Sequence, residues 1–250
     1  MSKLSFSQRL HNALGSQEVE NVKAVHAYLH AMNHSAEEWG TIWSKTEYAT
    51  WAHFFGRMVG FEQVWYGSVP YHDGPILRKF VELGEKYPEI YNLGIDIRGI
   101  GYCGGLHILA NSIIEVAEDG KSARAFYMTP GGTGDILDNC GHRQSGILWE
   151  RYGSDFVYED GKWLYLHEHV CPDIMSPGAF DKNNWGHDKY MQSLEERPGP
   201  PGGGNSPLCA EPGPLHHDLS MTQTVQNTVP WPEPYRTLDD ENTYSPGHNP

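Results

Sequence analysis

From Ser16 to His34 the apolar positions recur every three or four residues, with Val19, Val22, Val25, His26, Leu29 and Met32 on one face and Glu18, Glu20 and Lys23 on the other. That period predicts an amphipathic helix with Ser16 as its N-cap. Ser35-Ala-Glu-Glu38 has the form of a capping box and predicts a second helix over Ser35–Ser44. β-formers dominate from Tyr48 to Val59, where one strand would set Ala49, Trp51, His53 and Phe55 on a common face. Pro75 and Pro88 bracket a third helix, one at its first turn and one near its end.

The period then changes. Gly105–Val116, Lys121–Thr129, Ser145–Tyr158 and Lys162–Cys171 alternate as strands do, and Asp-Gly turns sit in Glu118–Lys121 and Glu159–Lys162. Helices followed by hairpin-linked strands predict an α+β fold: one curved antiparallel sheet wrapped on the N-terminal helices, with a conical pocket between them. Three regions follow, an N-terminal extension over 1–15, the α+β barrel over 16–173 and a Gly/Pro-rich C-terminal extension over 174–250. Eleven of the 17 prolines lie from Pro198 onward, which favours disorder there. Trp231, Tyr235 and Tyr244 point the other way, to an extended arm packed on a neighbouring subunit or over the pocket mouth.

Composition removes several classes. A net charge of -14 disfavours nucleic acid and anionic membrane surfaces. Neither a secretory leader nor a membrane-spanning run is expected from the N-terminus or elsewhere in the chain. The cysteines Cys103, Cys140, Cys171 and Cys209 form no CxxC pair, so reduced thiols and a cytoplasmic setting are expected. No GxGxxG, P-loop, HExxH or GxSxG is present.

The candidate chemistry is therefore scattered. Trp51, Phe55, Tyr102, Tyr127, Trp149 and Tyr165 would suit a flat, partly polar aromatic ligand, although core packing is the commoner use of each. His107 and His167 on the sheet floor, with His53 beside Trp51, are candidate acid–base groups because imidazole titrates near neutrality. His142 beside Arg143 is read as a residue of the mouth, His26, His30 and His34 as solvated or structural, and His216-His217 as a surface pair. Arg57 and Arg98 are candidate anchors for a phenolate or oxyanion. Tyr48, at the rim with Lys45 and Glu47, is a candidate acid. Strand alternation sends Glu168 to the face opposite His167 and His169, so no metal site is expected.

The runs HILANSIIEVAEDGKSARAFYMT and GILWERYGSDFVYEDGKWLYLHEHV resemble the SnoaL-like branch of the nuclear-transport-factor-2-like superfamily. The resemblance is carried by His107 and Asn111 leading to Ile114-Glu115-Val116, by Ala123-Arg124-Ala125, and by Glu159-Asp-Gly161 followed by Lys162-Trp163 and His167. It covers about Ser16 to Cys171 and implies the conical fold, a homo-oligomer (dimer or trimer), and a small aromatic substrate contacted by Asn111 among others. It also implies acid–base chemistry without cofactor or metal, drawn from Tyr48, His53, Arg57, His107, Tyr127 and His167. Within the superfamily the whole chain is most similar to bacterial lyases that convert lignin-derived diarylpropane diols to a stilbene and formaldehyde. A dehydratase, isomerase or cyclase on a hydroxylated aromatic or polyketide, and a non-catalytic binding or assembly protein, stand beside that reading.

Overall fold

The computed structural model describes residues 5–32, 34–53, 56–65, 103–136, 143–176, 211 and 229–250, with backbone only at 103–107, 133–136, 143–148 and 172–176. Two helices, α1 (Phe6–Ala31) and α2 (Ser35–Ile42), precede seven strands: β1 (Thr50–His53), β2 (Gly56–Val59), β3 (Cys103–His107), β4 (Ala110–Val116), β5 (Ser122–Ile136), β6 (Arg143–Glu159) and β7 (Lys162–Ser176). They form one sheet in the order β2-β1-β7-β6-β5-β3, with β4 also paired to β5. The fold is α+β, as the pattern predicts. Every pairing is antiparallel except β1 with β7, which run parallel, so the sheet is mixed rather than wholly antiparallel.

Several boundaries move, each for a local reason. The first helix begins ten residues before Ser16, because Ser5 and Gln8 close a capping box at its start. Ser16 lies inside that helix and returns its hydroxyl to the Asn12 carbonyl. The capping box predicted at Ser35 does not form: His34 is the N-cap and makes no side-chain capping bond, and the Glu38 carboxylate is engaged by His26. Tyr48–Val59 is a hairpin rather than one strand, pairing Trp51 with Met58 and His53 with Gly56. Gly105–Val116 is likewise two strands. β5 and β7 run on through Pro130 and Pro172, beyond the segments predicted. The helix over 75–88, like His142, Arg98 and His216-His217, falls outside the described residues.

Asp160 and Gly161 both have positive φ (49° and 82°), which gives the turn from β6 to β7 the twist of a two-residue hairpin. α1 lies close on the sheet: a Cβ at Gly15 would stand 3.1 Å from the Trp163 ring, and the Trp163 indole donates to Glu18 at 3.0 Å. The main core gathers Val19, Trp39, Trp43, Trp51, Tyr127, Tyr152, Phe156 and Tyr165 between helices and sheet.

The C-terminal arm, residues 229–250, packs on the outer face of the chain's own sheet. Tyr235 and Tyr244 are buried there, Tyr244 with Phe126, Cys171 and Val229. The carbonyls of Tyr235 and Arg236 accept from the Glu118 and Asp119 amides. Gly153 leaves room for this packing, since a Cβ there would collide with Val229 and Tyr244.

Candidate active site

Alternation along β5 and β6 sends Tyr127, Thr129, Glu150, Tyr152, Ser154 and Phe156 toward the helices. On β7 it is broken. Asp155 faces His167 while Phe156 faces Tyr165, so Leu166 is an extra, bulged residue. The bulge changes the parity of the strand. Tyr165 and Glu168 both reach Tyr127 on the inner face, and His167 points outward.

α1 supplies the opposite wall. Its buried row is Gly15, Val19, Lys23 and His26, so a lysine and a histidine occupy positions an apolar stripe would fill. His26 Nδ1 donates to Glu38 Oε1 at 2.7 Å, and His30 Nδ1 lies 3.7 Å from the other oxygen of that carboxylate. The rings of His26 and His30 stack at 5.6 Å, and His26 lies 5.6 Å from the Tyr165 ring. Burial by itself would lower the His26 pKa, but the Glu38 carboxylate, with a further pull from Glu168, raises it to about 9. Burial likewise opposes ionisation of Glu38, and His26 outweighs it, holding that carboxyl well below its usual range. The pair is an imidazolium–carboxylate at neutral pH.

A chain of hydroxyls continues from it. Tyr127 donates to Glu168 at 3.0 Å and lies 3.3 Å from the Tyr165 hydroxyl and 2.9 Å from Ser154 Oγ. Because the Tyr127 proton is committed to Glu168, Tyr165 is the donor in their mutual bond. Burial raises Glu168 and raises Tyr127, Tyr152 and Tyr165 well above the usual phenol value, so the tyrosines stay neutral donors. Lys23 sits 4.3 Å over the Tyr127 ring and bonds to Glu20 and Ser112; burial lowers its pKa.

Around these groups stand the indoles. Trp39 and Trp43 have ring centres 4.4 Å apart, Trp43 stacks on Tyr165 at 5.4 Å, and Trp51 meets Trp39 edge-on at 6.0 Å. Nearer the β1–β2 turn, His53 Nε2 lies 3.7 Å from Glu150 Oε1, and Tyr152 donates to Glu150 Oε2 at 2.7 Å. The Tyr127 and Tyr152 rings, stacked at 5.2 Å, join this second imidazole–carboxylate group to the first.

The expected residues thus divide. Tyr127, Tyr165, Trp51 and His53 come together on the inner face. His167 does not. Its Nδ1 donates to Asp155 Oδ2 at 2.8 Å and its Nε2 lies 3.1 and 3.0 Å from the carbonyls of Tyr48 and His248, which closes both ring nitrogens. Asp155 also accepts from Thr243 Oγ1 and the Tyr244 amide, each at 2.7 Å. Arg57 is outward as well, paired with Glu211 at 3.1 Å, and Glu211 in turn meets His248. Tyr48 lies in the turn before β1 and contributes its carbonyl to that outer cluster. Asn111 is exposed at a bulge in β4 with φ 55°, a backbone role that asparagine tolerates. Trp149 is 40% exposed. His107 is placed on β3 opposite Gly131, with its side chain outside the described residues, as are Phe55 and Tyr102.

Sequence reasoning passed over His26, His30, Glu38, Glu150 and Glu168. His26 had a visible signal, since it falls seven residues after Val19 on the face the helix buries. The sequence leaves the histidines of α1 as solvated or structural; a buried imidazole needs a partner, and Glu38, which supplies it, comes from another helix. Among the described residues no group of three or more His, Cys, Asp or Glu is placed to hold a metal ion, and no helix is long and apolar enough to cross a membrane.

No protein-family profile and no curated protein matches the sequence. Solved structures of similar shape include a provisional scytalone dehydratase from Novosphingobium aromaticivorans DSM 12444, at 16% identity and TM-score 0.47, covering 69% of this chain and 91% of that one. The hexachlorocyclohexane dehydrochlorinase LinA-type3 of Novosphingobium barchaimii LL02 matches at 13% identity and 0.45, covering 69% and 94%. A nuclear-transport-factor-2-like protein from Salmonella enterica serovar Typhimurium matches at 13% and 0.44, covering 64% and 92%. Likenesses of this size carry no argument about chemistry, which rests on the side chains described above.

Proposed function

We propose that the chain is an acid–base lyase for a hydroxylated aromatic, working through the inner face of the sheet. The observation that carries the reading is the buried His26–Glu38 ion pair, with Tyr165 5.6 Å from the imidazole and the Trp43, Trp39 and Trp51 rings following on from Tyr165. An imidazolium held protonated through neutral pH is a proton donor for a leaving hydroxyl. Its Nδ1 is oriented by Glu38, which leaves Nε2 as the donating nitrogen. The neutral Tyr165 hydroxyl, turning from its 3.3 Å bond to Tyr127, is the donor to a phenol oxygen, and indole and phenol faces suit aromatic rings.

The specific reaction we propose is the conversion of a para-hydroxylated diarylpropane diol to a stilbene. His26 gives a proton to the benzylic hydroxyl, which leaves as water while the ionised phenol pushes electrons into a quinone methide; the later steps return the phenolate, so the net proton passes from His26 to His53. His53, oriented by Glu150, then takes the primary alcohol proton. The carbon–carbon bond to that carbinol breaks, formaldehyde leaves, and the bonding pair restores the aromatic ring. Water, formaldehyde and the stilbene account for every atom of the diol, and the quinone methide is the electron sink. In this scheme His53, rather than His107 or His167, is the base, and a tyrosine rather than Arg57 holds the phenolate.

Incubation of the purified chain with such a diol, followed by mass analysis, tests this. The expected result is loss of water plus a one-carbon unit, with formaldehyde detected and its release suppressed by His26→Asn. Loss of water alone would point to the dehydratase reading. Tight retention of the diol without any product would identify a binding protein and overturn the lyase.

A further inference from the structure

The outer side of α1 has no role in the site, yet it is apolar. Phe6, Leu10, Leu14, Val25, Tyr28 and Met32 are 74, 50, 57, 42, 65 and 42% exposed. Spaced by three or four residues within each group of three, and by eleven between the groups, they form one stripe opposite the buried row of Gly15, Val19, Lys23 and His26. The two apolar groups flank an amide pair, Gln17 and Asn21, which bond to each other at 3.4 Å. No charged side chain lies in the stripe.

Its order is a palindrome. Read from either end, it gives three large apolar residues and then an amide; three of the four pairs centre on position 19, and Leu14 with Val25 is offset by one residue. An antiparallel partner of identical sequence would therefore set Phe6 against Met32, Leu10 against Tyr28, Leu14 against Val25, and Gln17 against Asn21. Such twofold matching is what a surface needs in order to bind its own copy. Charge narrows the choice further. Two chains of net charge -14 repel one another, so close approach favours a face that carries no charge. The six side chains leave roughly 600 Å² of apolar surface open, at about 150–250 Å² per large side chain, near the ~800 Å² per partner of a standard stable pair.

We infer that α1 is a homodimer interface in which two copies of the helix pair antiparallel across a twofold axis through the Gln17–Asn21 region. The arm, expected from the sequence to pack on a neighbouring subunit or over the pocket mouth, lies on its own sheet, whereas this helix presents the self-matching surface. The inference is independent of the proposed reaction.

Light scattering on the full chain tests it through charge pairing. The wild type should run at twice the 28.2 kDa chain mass. Leu10→Lys and Tyr28→Glu, both at exposed positions, should each weaken association by about tenfold or more and run as single chains, with helix content unchanged by circular dichroism. The two substitutions together in one chain should restore the dimer, because each new lysine then faces the partner's new glutamate twice over. Gln17→Lys with Asn21→Glu gives a second, more conservative version of the same pairing. A monomeric wild type, or double variants no better associated than the singles, would overturn the antiparallel dimer. So would retention of the stripe by anionic or neutral lipid vesicles in place of self-association.

Discussion

Two buried imidazole–carboxylate pairs sit on opposite faces of the same sheet, and they are built for different work. His26 and Glu38 meet at 2.7 Å, His167 and Asp155 at 2.8 Å, so the pairs are alike in contact. They differ in what surrounds the other ring nitrogen. The carbonyls of Tyr48 and His248 close His167 Nε2, and Thr243 and Tyr244 complete Asp155, so the outer pair clasps the C-terminal arm to the sheet. The inner pair stands beside the Tyr165 phenol and the indoles that follow it, and in the proposed reaction it gives its proton to the substrate. A histidine–carboxylate contact therefore does not by itself separate a structural clasp from the proposed proton donor; the surroundings of the second ring nitrogen are where the two pairs differ.

The sharpest way to separate the two is to remove one member of each. His26→Asn should lower turnover of the diol by about 10²–10⁴-fold, while Asp155→Asn should leave it near the wild-type rate. Equal loss in both variants, with the arm still docked, would end the distinction. In stability, Asp155→Asn weakens the buried acceptor shared by His167 Nδ1, Thr243 Oγ1 and the Tyr244 amide and should cost about 1–3 kcal/mol. Urea unfolding would read that loss, and proteolysis within 229–250 should become faster, an effect absent from His26→Asn.

pH sharpens the comparison further. His26 is raised from its ordinary 6.5 to about 9, so the stability it contributes is fully present below 6.5 and fades as pH rises through about 9. The loss should be on the order of 3 kcal/mol. Glu38 shows the other side of the same interaction, since its contribution is present above the ordinary carboxylate range and declines on acidification below it. Unfolding midpoints between pH 6 and 10 should therefore fall for the wild type and stay flatter for His26→Asn combined with Glu38→Gln. Unchanged slopes would show that the pair is not charged. Smallest, Gly153→Ala should cost about 1–3 kcal/mol by overpacking against Val229 and Tyr244. Its effect should fall on the arm alone, visible as faster amide exchange in 229–250 with turnover retained.

Much of the fold was legible. The Asp-Gly turns at Asp119-Gly120 and Asp160-Gly161 mark hairpins because those residues accept positive φ, and both connect adjacent strands. The site was less so. Trp51, Tyr127 and Tyr165 were legible from strand alternation, and His53 from its place beside Trp51. His167 was misplaced because strict alternation assumes an unbroken ladder, and one extra residue, Leu166, reverses the facing of everything between Tyr165 and Glu168. Glu38 was hidden differently: its spacing from Ser35 matched a local cap, but a histidine twelve residues earlier binds it more strongly than the helix end does.

What the sequence by itself determined was the alternation of helix and strand, the acidic surface and the supply of aromatic and imidazole groups, since those follow from local period and composition. Only the tertiary structure decided which face each group serves. Bulges, helix rotation and the docking of the arm depend on contacts between distant residues, and their parity is carried by no local period.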